Sequence, residues 1–203
     1  MRIFFVVVCL FISPSVFAQY KSETYPVAYN HIRVLKKSAV FVRLHTDDMV
    51  LDKLKRMKQY KTLEARKEEI YANNKETYAA FTSAFTFAPV YFFYGRDSDK
   101  VRNRDFFNIF LNEELVPDST IKFSSDSTFF IIDVGDIYFD AFGGHFEGMA
   151  VMDSRFEPLK KPFPYYVRKR SGISIITRTD LEMVLILQKE LEEFFEESKS
   201  PKF

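Results

Sequence analysis

Ser38-Ala39-Val40-Phe41-Val42-Arg43-Leu44 and Pro89-Val90-Tyr91-Phe92-Phe93-Tyr94 are the two stretches that decide the fold. Each is a short run of β-branched and aromatic residues, and the second is stopped by Gly95. Such runs read as strands buried on both faces. Between them, residues 48–85 carry a helical repeat: Val50, Leu54 and Met57 on one stripe, then Leu63, Ile70, Thr77, Phe81 and Phe85 three, four or seven apart. A strand, a helical crossover and a second buried strand make a βαβ unit, expected to be parallel and right-handed. The stripe shifts near residues 59–62 without a Gly or Pro. Two helices with a tight turn and one kinked helix therefore fit equally well.

Outward from that unit the pattern changes. Residues 96–104 are charged and read as a loop, 106–111 as a short strand or helical turn, and 116–128 as a connector. Residues 128–134 (Thr-Phe-Phe-Ile-Ile-Asp-Val) read as a strand that residues 137–139 extend after Gly135, with a turn at 142–145. Residues 148–152 and 163–168 read as two further strands, and Pro158, Pro162 and Pro164 restrict the pairing there to an edge or bulge. Residues 173–177 form a last short extended piece. Thr179-Asp180-Leu181-Glu182 is a capping box opening a helix whose apolar face includes Leu181, Val184, Leu185, Leu191 and Phe195. The prediction is a single α/β domain over residues 38–198: a mixed sheet of about five strands with covering helices, a βαβ start, paired strands and a C-terminal helix. Residues 19–37, polar with scattered Tyr25, Tyr29, Ile32, Val34 and Leu35, read as an arm able to add an edge strand, and residues 199–203 as a tail.

Residues 1–18 read as a signal peptide: a positive start at Arg2, an apolar run over residues 3–12, and small or apolar residues up to Ala18. The run is about half the ~20 residues a membrane span needs, so no integral membrane segment is expected after cleavage. Removing it leaves 28 basic and 28 acidic residues, and takes away Cys9, the single cysteine. A cysteine-free chain excludes thiol redox chemistry, a Cys protease and Cys-ligated zinc. The charge balance argues against nucleic acid as a partner. The localisation expected is exported, periplasmic or envelope-associated.

Catalytic motifs are missing. There is no phosphate-binding Gly-rich loop and no Gly-x-Ser-x-Gly elbow, and the three histidines, His31, His45 and His145, lie on separate segments. No catalytic residue, metal ligand or cofactor is assigned. His145-Phe146-Glu147 has the His-x-Glu of zinc deaminases without its cysteine partners. Two candidate sites remain. The ends of the two parallel strands bring His45, Asp47, Arg96 and Asp97 to one sheet edge, where open α/β sheets place ligands, although helix capping also accounts for Asp47 and Asp48. The stretch from Arg155 to Arg168 sets Phe156, Phe163, Tyr165, Tyr166 and Arg168 among prolines, a composition suited to contact with an envelope protein or peptide partner. The second is preferred, making this a non-enzymatic binding protein, with a small-ligand binder or enzyme at the strand-end edge as the alternative.

Pro89-Val-Tyr-Phe-Phe-Tyr, Phe110-Leu-Asn, Ala150-Val-Met-Asp and Lys161-Pro-Phe-Pro-Tyr-Tyr-Val-Arg, behind this leader, resemble a group of exported proteins of Bacteroidota-type bacteria to which no reaction is attached. The resemblance implies export and carries no activity. More remotely, the element order looks like a thioredoxin-like layout; without cysteines that implies at most a shared scaffold.

Overall fold

The computed structural model of the chain describes residues 14–139, 144–170 and 177–200. The elements run α1 (Pro14–Lys36), β1 (Ala39–Leu44), α2 (Asp48–Arg56), α3 (Tyr60–Ala84), β2 (Val90–Tyr94), a 3-10 turn (Gly95–Asp97), α4 (Ser98–Arg102), β3 (Phe129–Phe139), β4 (Gly144–Met152), β5 (Tyr166–Arg168) and α5 (Asp180–Lys199). They build one five-stranded sheet in the order β2-β1-β3-β4-β5. β1 runs parallel to β2 on one side and to β3 on the other, with Val42 opposite both Phe92 and Ile132. β3, β4 and β5 are antiparallel in turn. The α/β class and the mixed sheet expected from the strand runs are thus what the chain forms.

Alternation along the strands feeds two cores, because successive side chains point to opposite faces. Val40, Val42 and Leu44 of β1 and Phe130 and Ile132 of β3 face α1, α3 and α5, meeting Ile32, Leu35, Phe81, Val184, Leu187 and Leu191. Phe41, Phe129 and Ile131 face the other way, under Val101, Phe106, Ile109 and Phe110. The two connections therefore lie on opposite faces: α3 covers one, residues 98–123 the other. Gln188 ties α5 to the end of the crossover, its Oε1 accepting the backbone N–H groups of Thr86 and Phe87, each at 3.0 Å. At the start of α5, Thr179 and Glu182 form the expected capping box.

Three expectations are corrected and one open alternative is decided. Residues 19–37 do not form an arm or an edge strand: all but Lys37 belong to α1, because Ala28, Tyr29, Ile32 and Leu35 recur at helical spacing and pack into the core. Residues 48–85 form two helices. The joint is Met57-Lys58-Gln59, where Lys58 takes the left-handed conformation (φ 56°) usually given to glycine, so the composition hides it. The stripe of Val50, Leu54 and Met57 is not core, since α2 buries no residue. Residues 96–104 are not a plain loop, because a 3-10 turn and α4 occupy them and send Val101 into the aromatic core.

The paired strands also differ in detail. β3 is continuous through Gly135, whose φ of 121° a side chain would resist. The turn expected at 142–145 lies partly outside the described residues, and Gly144 and His145 already belong to β4. Gly148 of β4 is required: a Cβ there would stand 2.2 Å from the Val167 carbonyl oxygen of β5. Of the last extended piece, residues 173–176 lie outside the described residues, while Thr177 bridges to Arg170.

Candidate functional site

β5 is a three-residue strand on the sheet's edge, and its brevity follows from the prolines before it. Ala150 pairs with Tyr166, Met149 with Val167 and Gly148 with Arg168. Val167 points into the helical core, leaving Tyr166 and Arg168 on the opposite face beside Phe146. The Tyr166 ring lies 5.4 Å from that of Phe146, and the Arg168 guanidinium lies 5.5 Å from Phe146 and 5.6 Å from Tyr166. Tyr165 meets Tyr166 edge-on at 4.8 Å. Residue 178 closes the arrangement: Arg178 donates its backbone N–H to the Lys169 carbonyl (2.8 Å) and its Nη1 to the Arg168 carbonyl (2.8 Å).

Tyr165, Tyr166, Arg168 and Arg178 line a groove of about 680 Å³ together with Tyr25, Arg170 and Glu190. Burial pushes the Tyr165 hydroxyl above its ordinary value, Tyr166 adding to it and Arg168 opposing, so Tyr165 stays neutral. Burial likewise raises the Glu190 carboxyl, with Glu193 adding and Arg178 opposing. Cations outnumber acids here, Lys161, Arg168, Arg170 and Arg178 against Glu190. Arginine forks match carboxylates, and tyrosine rings offer wide, stiff apolar contact.

Of the five residues expected to make a partner surface, Tyr165, Tyr166 and Arg168 come together in this groove. Phe163 is a correction: it is 1% exposed and packs its ring 5.9 Å from Phe194 of α5, so it forms the groove's floor and presents no free face. Phe156 also lies elsewhere, at φ 67°, half-buried against the second core with the Arg102 guanidinium 4.5 Å from its ring. The sequence reading missed Arg170 and Arg178. Two arginines flanking a short extended piece were the only local sign.

The strand-end edge is the second region. In the order β2-β1-β3 the chain leaves β1 toward β2 while β3 lies on the other side, the arrangement that opens a crevice at strand ends. A cavity of about 640 Å³ is lined there by His45, Asp47, Arg96, Asp133, Tyr138 and Met49, among others. Asp97 does not join them, being paired with Lys100 at 2.9 Å. Asp47 sits at the start of α2 in the left-handed region (φ 49°) and makes no capping hydrogen bond, which corrects the capping expectation. Its carboxylate instead takes His45 Nε2 and the Arg66 guanidinium, with Arg66 Nε at 2.8 Å. Burial pushes Asp47 up, but hydrogen bonds from Arg66 and His45 together with their charges outweigh it and hold the carboxyl below its ordinary value. Asn74 fixes His45 from behind, donating to its carbonyl at 2.8 Å and accepting its N–H at 3.1 Å.

Arg43 Nε meets Asp133 at 3.2 Å, a pair the sequence reading passed over. The signal was available: Arg43 is the lone charge of β1, Asp133 interrupts the apolar run that opens β3, and parallel register sets them opposite one another. Burial raises the Asp133 carboxyl, with Arg43, His45 and the Val134 N–H opposing. Charges at this edge are thus largely taken up by one another. Among the described residues, no three His, Cys, Asp or Glu side chains converge as a metal site would require, and no helix is long and apolar enough to cross a membrane. His145 stacks on Tyr138 at 5.8 Å while Glu147 pairs with Lys169 at 2.7 Å, so the His-x-Glu pair is divided between separate neighbours. Comparison with protein-family models, curated proteins and solved structures finds no match for this chain.

Proposed function

We propose that this chain is an exported, non-enzymatic periplasmic or envelope protein that binds a partner protein through the groove beside β5. The observation that carries the reading is the convergence of Arg168, Arg170 and Arg178 with Tyr165 and Tyr166 in one groove of about 680 Å³ at the sheet's edge. The chemistry selects an extended partner segment bearing carboxylates, held by arginine forks and lying across the tyrosine rings. Export rests on the leader-like residues 1–18.

A photo-crosslinking residue placed at Arg168 tests this directly in native envelopes. One at Phe107, exposed but outside the groove, serves as control. The expected result is a single, near-stoichiometric adduct at position 168, absent at 107 and lost when Arg178→Gln and Tyr165→Ala are combined. Equal labelling at both positions, or an adduct that survives those substitutions, rejects the groove as the binding surface.

The cavity of about 640 Å³ at the strand-end edge favours a second reading, a small ligand held by His45, Asp47 and Arg96. A native-state ligand raises the melting temperature by mass action. The compound to look for in a melting screen is therefore one that stabilises the wild type and not Arg96→Ala.

A further inference from the structure

Helix α2 contributes no buried residue although its sequence is strongly two-sided. Leu51 and Leu54, half-buried, seat it beside α3. Its apolar arc is wider than that seat. Met49 is 86% exposed, Met57 54% and Val50 45%, and Tyr138 across the neighbouring hollow is 69% exposed. At 3.6 residues per turn Met49, Lys53 and Met57 stand one above another, with Val50 and Arg56 beside them. A helix normally turns such a stripe inward. Here the protein leaves it facing solvent.

The charge around the stripe is one-sided. Residues 48–61 hold five cations, Lys53, Lys55, Arg56, Lys58 and Lys61, against Asp48 and Asp52, in a chain otherwise close to balance. None of the five is in an ion pair among the described residues, whereas Arg66, Lys67, Lys100 and Arg102 all are. Unbranched methionines flanked by cations on long stems are the composition of a helix lying in a lipid interface: the apolar side chains enter the acyl boundary and the cations reach phosphates.

We infer that α2 docks the protein on an anionic lipid surface, with Met49, Val50 and Met57 inserting and Lys53 and Arg56 reaching headgroup phosphates. The inference is independent of the groove beside β5, which α2 does not line.

Flotation of the full chain with vesicles of phosphatidylglycerol and phosphatidylcholine in equal parts, against vesicles of phosphatidylcholine alone, tests it. Residues 1–18 are common to every variant, so differences between variants read α2. Binding should favour the anionic vesicles and weaken with added salt. Lys53→Gln combined with Arg56→Gln should lower the partition coefficient roughly 30-fold, since each cation at an anionic surface contributes about a factor of five. Met49→Gln combined with Met57→Gln should weaken binding at every salt concentration. Both pairs should leave the melting temperature unchanged, because glutamine suits a helix and neither pair is buried. Unchanged partitioning of both variants, or equal binding to pure phosphatidylcholine, overturns the inference. So does self-association, without vesicles, that the methionine pair abolishes, for the stripe would then cover a second copy.

Discussion

Asp47 and Asp133 stand on either side of His45, both half-hidden from solvent or more, and respond to pH in opposite directions. Asp47 is held below its ordinary value of 3.8, so the stability it supplies is complete above that value and lost as the pH falls through its lower folded value. Asp133 is raised, so its contribution is complete while it is protonated, below 3.8, and declines as the pH climbs toward the raised folded value. Two asparagine variants should separate these effects. Asp47→Asn should lose about 1–2 kcal/mol at neutral pH, a charged hydrogen bond discounted for the partly exposed Arg66, and the deficit should shrink below about pH 4. Asp133→Asn keeps an acceptor for Arg43 and should gain on the wild type as the pH rises above 3.8 toward the raised folded value. Chemical denaturation at a series of pH values reads both; parallel profiles for the two variants would contradict the assigned environments. At this scale the sequence was legible only in part: His45, Asp47 and Arg96 follow from strand-end topology, whereas Arg66 and Asn74 arrive from the middle of α3, which no local pattern signals.

Among the elements, α1 shows what periodicity alone conceals. Pro26 inside it and its mixed composition mask the stripe of Ala28, Tyr29, Ile32 and Leu35, which only docking against α5 and the sheet makes decisive. Its end is fastened to the end of α5: the Tyr29 hydroxyl donates to Glu197 Oε1 at 2.7 Å and Arg33 reaches the Ser198 carbonyl. Burial, then the hydrogen bond and charge of Glu197, push Tyr29 up to about 12 from 10.0. Tyr29→Phe should therefore cost about 1 kcal/mol at neutral pH, the net value of one hydrogen bond, with ring packing on Phe194 retained. Raised folded pKa means that the wild-type advantage is present below 10.0 and fades as pH rises toward 12, so the two proteins should converge in alkaline melting curves. At the opposite edge, Gly148→Ala should destabilise by about 1–3 kcal/mol, as overpacking does, because the obstacle is the backbone of β5. The same substitution should weaken photo-crosslinking from position 168, since the pairing of Gly148 with Arg168 holds the groove's wall in place. The strands themselves were readable, being apolar runs of the right length; that α2 would stay uncovered was not, because a two-sided helix predicts burial without saying what it is buried against.

At the scale of the whole molecule, one sheet serves two cores, and this fixes how the chain must unfold. β1 and β3 send alternate side chains to each side, so neither core can be dismantled while the central strands stay in place. Phe41 is the test position: it is fully buried on the side away from α1, α3 and α5, stacked on Phe129 at 4.4 Å and met edge-on by Phe106, Phe110 and Phe123. Phe41→Ala should cost about 3–5 kcal/mol, a large share of the ~5–15 kcal/mol that holds a domain of this size together. Phe41→Leu, which leaves less empty space, serves if the alanine variant does not fold. With no Trp and 11 Tyr, tyrosine fluorescence and near-ultraviolet dichroism follow the tertiary packing, while far-ultraviolet dichroism follows the helices on the far side of the sheet. If the two cores are one cooperative unit, all three signals move together in denaturant at a lowered midpoint and the slope is unchanged. Loss of the phenylalanine bands of the near-ultraviolet dichroism ahead of the tyrosine and helical signals would mean that the aromatic face of residues 98–123, which holds no tyrosine, opens by itself. The shared strands argue against that, for opening it strips Phe41, Phe129 and Ile131 of their cover and leaves β1 and β3 packed on one face only.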